Sequence, residues 1–346
     1  SDVCSSDLGR QAGGGPNVGR QITYRAGVPE TSPAYTVNQA CASGLAAVAQ
    51  GYQEIILGNV DCVLAGGTES MSRLPYLLEN ARWGYRLGNQ VVTDAMYKDG
   101  FQDPLSNMLM GETAEKLGGL KGITREEQDE YALSSQQRAE AATKNGWFKN
   151  EIVPIEIKEK KATRMYDLDE HIRMGATIDS MKKLPPVFSK TGTVTAGNSS
   201  GITDGAAATV LVSERKLKEW GLKPMAKIIG YTSVGVDPSI MGIGPVPAVR
   251  KLLGRINWKL EDFALIELNE AFAAQVLACD RELKFDRSKL NVHGGAISLG
   301  HPIGCSGTRV LVTLLHALKQ HGGERGLATL CVSGGMGVAM AVEMVG

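Results

Sequence analysis

Cysteine is scarce in this sequence: six residues in 346, with no CxxC pair and no regular spacing. That scarcity argues against the common zinc modules and favours reduced thiols over a disulfide framework, although six cysteines could in principle pair. We therefore expect reduced thiols, a cytoplasmic location and no metal site.

The sequence also lacks a net charge and a long hydrophobic run. Lys plus Arg and Asp plus Glu balance at 37 each, so no global field attracts nucleic acid or anionic lipid. No apolar run reaches the length that spans a bilayer, and the first residues show no basic and apolar signal pattern. We expect neither a nucleic-acid partner nor a membrane span, and an anionic ligand would need local cations.

Three segments each place one reactive side chain beside glycines. Cys41 lies in NQACASGL, His301 in GGAISLGHPIGCSG and Cys331 in CVSGGMG. Glycine lets the backbone approach a substrate closely and offer bare N–H groups to an oxyanion. A nucleophile, a base and a second thiol together predict acyl transfer.

Cys41 is predicted at the start of a helix. The pattern indicates a helix over residues 43–57 and a buried strand over 60–65. The positive end of a helix dipole favours a thiolate. The alternative is a buried cysteine that packs like a small hydrophobic residue.

The same layout occurs again near the C-terminus. Residues 41–44 (CASG) resemble residues 304–307 (GCSG), and residues 64–67 (LAGG) resemble residues 332–335 (VSGG). Such an internal repeat predicts two similar α/β halves, although chance similarity between Gly-rich turns would also produce it. Further strands are predicted at 208–212, 227–231, 263–268, 328–332 and 338–344.

The segment between the halves, residues 71–190, has a different composition. It contains seven of the twelve methionines and a helix that Thr124 and Glu127 begin with a capping box and Asn145-Gly146 ends. The methionines predict either an adaptable surface over a long ligand or a small satellite core.

Two further polar positions are candidates for the site. Asn269 and Glu270 follow the apolar strand FALIEL, where functional groups collect at the carboxyl ends of strands; capping of the next helix is the alternative. His301 lies in GHPIG, a turn that Pro302 constrains, where an imidazole can exchange a proton with a thiol. A structural hydrogen bond is the alternative role for this histidine.

Long motifs in a fixed order now point to a family. NQACASGL, GGTESMSRLPY, NEAFAAQ, GGAISLGHPIGCSG and CVSGGMG resemble the signatures of the thiolases, over residues 13–346. The resemblance implies an α/β fold of two similar βαβ halves packed in αβαβα layers. It assigns residues 1–70 and 191–220 to the N-terminal half, 71–190 to an inserted loop domain that binds coenzyme A, and 221–346 to the C-terminal half.

The resemblance also implies an activity, the transfer of acyl groups between coenzyme A thioesters. Cys41 would carry the acyl group, either in thiolytic cleavage of a 3-ketoacyl-CoA or in the reverse Claisen condensation, and Cys331 would be the second acid/base. His301 would activate Cys41 and, with a water held by Asn269, line one oxyanion hole. The backbone N–H groups of Cys41 and Ser333 would form the other.

Ligand contacts are implied in the same way. Arg173 and Ser180 would lie near the adenine and phosphates of coenzyme A, and Ala196 and Ser200 near its pantetheine. Met110 and Phe272 would line the acyl pocket. Without the resemblance, Arg173 would be interpreted as a solvated surface charge. Coenzyme A and acyl-CoA would be substrates, no cofactor would be bound permanently, and the chain would form a homodimer or homotetramer.

The first residues do not fit this resemblance. Residues 1–9 look unrelated to the rest of the chain, and the family's first strand and helix look missing before Gly13, so we expect an incomplete N-terminal half whose core sheet lacks its opening strand. Two alternatives to a thiolase remain. A ketoacyl synthase-type condensing enzyme would use a second histidine in place of Cys331, and a non-catalytic thiolase-like lipid carrier would lack one of the reactive groups.

Overall fold

The computed structural model describes the backbone of residues 3–6 and the whole of residues 13–158 and 162–345. In chain order, its strands are β1 (Val3–Ser6), β2 (Ala34–Thr36), β3 (Cys62–Glu69), β4 (Tyr76–Leu77), β5 (Thr93–Asp94), β6 (Gln102–Asp103), β7 (Met108–Leu109), β8 (Ile155–Lys158), β9 (Thr163–Tyr166), β10 (Gly205–Val212), β11 (Ala226–Gly235), β12 (Leu265–Leu268), β13 (Arg325–Val332) and β14 (Met336–Met344). Its helices are α1 (Val18–Arg25), α2 (Ser43–Ile56), α3 (Met110–Lys121), α4 (Arg125–Lys144), α5 (Ile178–Lys182), α6 (Glu214–Trp220), α7 (Pro245–Ile256), α8 (Ala273–Leu283), α9 (Ala296–Leu299) and α10 (Ile303–His321).

Two four-stranded sheets form the centre of the molecule. The first has the order β10-β3-β1-β2 and the second β11-β14-β13-β12. Helices α2 and α10 pack between the sheets, α1 covers the outer face of the first, and α7 and α8 lie on the far side of the second. This arrangement is the αβαβα layering that the resemblance implies.

Each half repeats one unit, a helix followed by a strand and its antiparallel partner. In the first half the unit is α2, β3 and β10, and in the second it is α10, β13 and β14. Residues 70–204 separate the two strands in the first unit, whereas residues 333–335 join them by a short turn in the second. The internal repeat is therefore structural, although LAGG lies within β3 and VSGG runs from the end of β13 into that turn.

The central helices cross where the two repeated motifs provide glycine. A Cβ on Gly44 would lie 2.7 Å from the backbone N of Thr308, and a Cβ on Gly307 would overlap the backbone of Leu45. Only glycine permits so close an approach. The crossing brings the start of α2 and the start of α10 together, which is where Cys41 and His301 lie.

One expectation about the first residues is wrong. Val3–Ser6 forms β1, which pairs in parallel with β2 on one side and β3 on the other, so the first sheet does have a strand before Gly13 and the expected loss of an opening strand does not occur. The two sheets differ at the outer edge of β10. Strand β14 pairs with β11 on its outer side, whereas the equivalent β10 pairs only with β3 among the described residues.

The capped helix inside residues 71–190 forms as predicted. The Thr124 side chain accepts from the N–H of Glu127 at 3.2 Å, Glu127 Oε2 accepts from the N–H of Thr124 at 2.7 Å, and Gly146 follows the helix with φ 69°. Of the methionines in this segment, Met110 and Met181 are buried, whereas Met165 and Met174 are exposed. No helix within the described ranges is both long and apolar enough to cross a membrane.

Candidate active site

Cys41 lies in a single 3-10 turn, Ala40–Ala42, which continues directly into α2. Ala40 has φ 46°, a left-handed conformation that costs a non-glycine residue roughly 1–2 kcal/mol. The side chain of Asn38 supports it by accepting from the N–H of Ala40 at 2.9 Å. The predicted position of Cys41 at a helix start is confirmed. Because Cys41 is partly exposed, the alternative of a buried cysteine that packs like a small hydrophobic residue is wrong.

Cys331 is the opposite kind of thiol. It lies near the end of β13, is 1% exposed, and packs in one apolar cluster with Met110 and Phe272, the two residues expected to line the acyl pocket. Burial raises the pKa of Cys331 well above its ordinary value, and the nearby Cys41 raises it further. Cys41 therefore lies close enough to Cys331 to affect the ionisation of the buried thiol.

His301 lies in the turn between α9 and α10. Its backbone N–H donates to Gly201 O at 3.1 Å, and its Nδ1 lies 2.6 Å from Ser306 Oγ. Ser306 donates its own proton to Pro302 O at 2.8 Å, so Oγ accepts from Nδ1–H. This network leaves the lone pair on Nε2, the nitrogen a proton acceptor needs.

Asn269 follows the last residue of β12, as expected for a functional group at the carboxyl end of a strand. Its N–H donates to Thr329 O at 3.0 Å, and its Nδ2 lies 3.4 Å from His301 Nε2. The side chain is 1% exposed, and Oδ1 accepts no hydrogen bond in the described part of the chain. The alternative of a helix cap is wrong, because Phe272 is the residue that precedes α8.

Glu270 is completely buried in a cage of hydrogen-bond donors. Its carboxylate accepts from Tyr131 OH at 2.8 Å, Ser135 Oγ at 2.7 Å, Asn291 Nδ2 at 2.9 Å and the N–H of Ile297 at 3.1 Å. Burial, and then the charge of Glu270, raise the pKa of Tyr131 well above its ordinary value, so the phenol remains a donor. The cage fixes the backbone on which the neighbouring Asn269 depends.

Ser333 lies in the turn that joins β13 to β14, and it is partly exposed. The turn continues through Gly334 and Gly335, both with positive φ. The 3-10 turn of Cys41 packs against β13, the strand that ends at Val332, immediately before Ser333.

The residues expected to contact coenzyme A are mostly exposed. Arg173, Ser180 and Ala196 are exposed, and Ser200 is half-buried. Ser180 Oγ donates to Thr177 O at 2.6 Å at the first turn of α5.

The loop of residues 193–201 runs from the surroundings of α5 to the apolar cluster that contains Cys331 and Phe272. The side chain of Met181 packs next to Gly197, and the ring of His171 lies against Gly201. The N–H of Ser200 donates to Ala271 O at 3.0 Å, next to the apolar cluster. These contacts link α5 to the loop and the loop to the residue before Phe272.

Three residues near the centre escaped the sequence reasoning. Gln39 holds the turn of Cys41, and Ser306 holds the ring of His301. Phe188 packs against Phe272, with 6.3 Å between the two ring centroids. Gln39 and Ser306 lie within the motifs NQACASGL and GGAISLGHPIGCSG, whereas Phe188 lies in no motif. No group of three or more histidine, cysteine or acidic side chains that could hold a metal ion occurs within the described residues.

An exposed thiol at a helix start, a buried thiol near it and a hydrogen-bonded imidazole define an acyltransferase of the thiol-dependent class. Two family models match the chain, Thiolase, N-terminal domain over residues 2–215 and Thiolase, C-terminal domain over residues 222–344. The chain belongs to the thiolase family.

Relatives and solved structures agree with that assignment. The chain is 52% identical over 345 residues to an acetyl-CoA acetyltransferase of Chromobacterium violaceum, an alignment that covers 99% of this chain and 88% of the relative. It is similar to the crystal structure of the Bacillus anthracis acetyl-CoA acetyltransferase, with TM-score 0.96, 47% identity and coverage of 99% and 87%. It is also similar to human mitochondrial 3-ketoacyl-CoA thiolase in complex with CoA, with TM-score 0.95, 43% identity and coverage of 99% and 86%.

Proposed function

We propose that this thiolase transfers acyl groups between coenzyme A thioesters through an acyl-enzyme on Cys41. The observation that carries the proposal is the pairing of an accessible thiol at a helix start with Cys331, a buried thiol whose ionisation responds to Cys41. A thiolase needs these two thiols for different steps, one to carry the acyl group and one to move a proton.

In thiolysis, the thiolate of Cys41 attacks the 3-keto carbon of a 3-ketoacyl-CoA. The bond between carbons 2 and 3 breaks, and its electron pair leaves as the enolate of acetyl-CoA, which the Cys331 thiol protonates. Cys331, now a thiolate, takes the proton of incoming coenzyme A, and the new thiolate removes the acyl group from Cys41. The reverse sequence is a Claisen condensation, and both directions are ping-pong.

His301 accepts the proton of Cys41 at Nε2 and returns it when Cys41 leaves. The hydrogen bond from Nδ1 to Ser306 supports this role, because it fixes the ring and its tautomer. Nδ2 of Asn269 lies beside the ring, and the unsatisfied Oδ1 supports a bound water that completes an oxyanion hole with His301. The N–H groups of Cys41 and Ser333 form the second hole, in line with the packing of the Cys41 turn on β13.

Coenzyme A binds along the exposed residues that the resemblance assigns to it. Arg173 and Ser180 lie near its adenine and phosphates, and Ala196 and Ser200 contact its pantetheine, which directs the thioester towards the cluster of Met110 and Phe272. The exposure of the first three residues and the connection of Ser200 to Ala271 support this path. Residues 71–190 thus form a loop domain for the nucleotide, between N-terminal segments 1–70 and 191–220 and a C-terminal half over 221–346.

The chain assembles as a homodimer or homotetramer in the cytoplasm. Support for assembly comes from the segment between β4 and α3, which exposes an unusual number of large apolar side chains for a surface. Among them are Trp83, Leu87, Val91 and Leu105. A reducing compartment agrees with the free thiols of Cys279, Cys305 and Cys331.

Intact-mass analysis after mixing with acetyl-CoA tests the proposal. The wild-type protein should gain one acetyl group that free coenzyme A removes, and Cys41→Ala should gain none. Cys62→Ala is the matched control, because Cys62 is also partly exposed but lies on β3 outside the centre, and it should be acetylated like the wild type. A wild type without an adduct, or an adduct that survives Cys41→Ala, would remove the basis of the assignment.

A further inference from the structure

The side chain of Gln39 bridges the two halves of the molecule directly beside Cys41. Its Nε2 donates to Ser233 Oγ at 2.9 Å, and its Oε1 accepts from Tyr231 OH at 3.1 Å. Tyr231 and Ser233 are two positions apart on β11, so they share one face of that strand. A single amide from the first half is thus held at both ends by the second sheet.

The backbone of Gln39 controls the turn that presents Cys41. Its N–H donates to Ser43 Oγ at 2.8 Å, Ser43 Oγ donates to Ala40 O at 2.7 Å, and the N–H of Ala42 donates to Gln39 O at 3.0 Å. The strained Ala40, with φ 46°, lies inside this ring of bonds. A displacement of Gln39 is therefore transmitted to Cys41 rather than absorbed by a flexible link.

The opposite end of the bridge belongs to the sheet that carries Cys331. Ser233 pairs with Val338 on β14, and Val338 pairs with Leu330 on β13, the residue next to Cys331. Adjacent strands in a sheet keep a separation of about 4.8 Å, so this row of paired residues fixes the distance between Ser233 and Cys331. The two cysteines are otherwise attached to different halves.

We propose that Gln39 is a positioning residue that fixes Cys41 relative to Cys331. The inference rests on the proposed function, since it matters only where both thiols act on one substrate. Reaction steps that need both thiols depend on the hydrogen bonds of Gln39 to Tyr231 and Ser233. Acylation of Cys41 alone depends on them only weakly. Substrate affinity does not depend on it, because the amide of Gln39 is occupied by Tyr231 and Ser233.

The first test replaces the amide by an apolar group of similar size. Gln39→Leu should lower kcat for condensation of acetyl-CoA by about 10–100-fold, the effect expected for a misplacement of about 1 Å. KM should stay within about twofold, and intact mass should still show one acetyl group on Cys41. Gln320→Leu is the matched control, since Gln320 donates to Trp147 O at the far end of α10 and should leave kcat unchanged.

A cycle of variants separates positioning from general stability. Tyr231→Phe and Ser233→Ala each remove one hydrogen bond and should each lower kcat less than Gln39→Leu does. The combination of both should match Gln39→Leu, and adding Gln39→Leu to it should cause no further loss. Gln39→Glu should recover most of kcat, because a carboxylate accepts from both hydroxyl groups.

Three results would overturn the proposal. They are an unchanged kcat in Gln39→Leu, additive losses in the cycle, and a loss of kcat that merely follows the melting temperature with no recovery in Gln39→Glu. If Gln39→Leu does not fold, the Tyr231→Phe and Ser233→Ala pair tests the same bridge. A wild-type protein that forms no acetyl-enzyme contradicts the proposed function itself, which distinguishes that failure from a failure of the bridge.

Discussion

Ser306 holds the ring of His301 from within the first turn of helix α10: its Oγ lies 2.6 Å from Nδ1 of His301 and donates onward to Pro302 O at 2.8 Å. The hydroxyl therefore determines which ring nitrogen carries the proton. It also ties the orientation of the ring to the helix that packs against the turn of Cys41.

Removing that hydroxyl should impair catalysis more than binding. In Ser306→Ala the imidazole can rotate and exchange tautomers, so kcat should fall about 10–100-fold with KM nearly unchanged. Steady-state kinetics check this, with Ser298→Ala as control, since Ser298 is an equally buried serine that bonds to Gly295 O and Ser135 but not to His301. Equal activities of the two variants would contradict the role given to Ser306.

The thiols should differ in reactivity towards a limiting amount of iodoacetamide near pH 7.5. Cys41 is partly exposed at a helix start, whereas Cys331 is buried and its pKa is raised, so Cys41 should be alkylated at least about tenfold faster. Cys62, which is also partly exposed, supplies an internal reference that should react more slowly than Cys41. Peptide mass analysis over time gives the order, and labelling of Cys331 before Cys41 would be inconsistent with this account.

Gly67 should not tolerate a side chain. A Cβ there would overlap Gly304 O and lie 3.0 Å from Cys305 Cα, both backbone atoms at the start of α10. Gly67→Ala should lower the free energy of unfolding by about 3 kcal/mol. Gly119→Ala is the contrasting variant, because nothing lies within 4 Å of its Cβ position inside α3, and alanine should stabilise that helix by roughly 0.5–1 kcal/mol. Chemical denaturation measures both, and a neutral Gly67→Ala would show that the helix can move away.

Stability should depend on pH through Glu267, which is 2% exposed on β12. Burial raises its pKa to about 8; Arg309 lowers it, and Glu270 and Glu151 raise it. Between the unfolded value, about 4.3, and 8 the folded state holds a proton that the unfolded state has lost. The free energy of unfolding therefore decreases as pH rises through this window.

Glu267→Gln, which mimics the protonated form, should remove that decrease. The variant should equal the wild type near pH 4.5 and exceed it at pH 8.5 by on the order of 1 kcal/mol or more. Denaturation curves at several pH values check this, with the exposed Glu261→Gln as control. Parallel pH profiles of wild type and Glu267→Gln would refute the buried proton.

Local patterns were sufficient to predict six of the eight described strands of the two central sheets. Short apolar runs that alternate with helical segments identified β3 and β10–β14, and the capping box at Thr124 placed the start of α4. The glycine-flanked motifs identified Cys41, His301 and Cys331, because reactive groups at strand ends and helix starts need a particular local backbone. The layers followed from the repeat and from the family resemblance rather than from any single segment.

Contacts between distant segments could not be predicted in the same way. The bridge from Gln39 to Tyr231 joins residues 192 positions apart, and the cage around Glu270 collects donors from α4, from the loop before α9 and from α9 itself. Such partners depend on how the sheets and helices pack. The left-handed Ala40 had no signal either, since alanine rarely adopts that conformation. The strand at Val3–Ser6 was missed because those residues carry no pattern that continues into the next segment.

The division of labour between the two cysteines is the central claim, and Cys331→Ala tests it most directly. The variant is mixed with acetyl-CoA, and two quantities are measured on one sample, the acetyl group on Cys41 by intact mass and the condensed product by chromatography. We predict that Cys41 is still acetylated while condensation falls by about 10²–10⁴-fold, the loss expected for a missing general base. Condensation at the wild-type rate would contradict the claim.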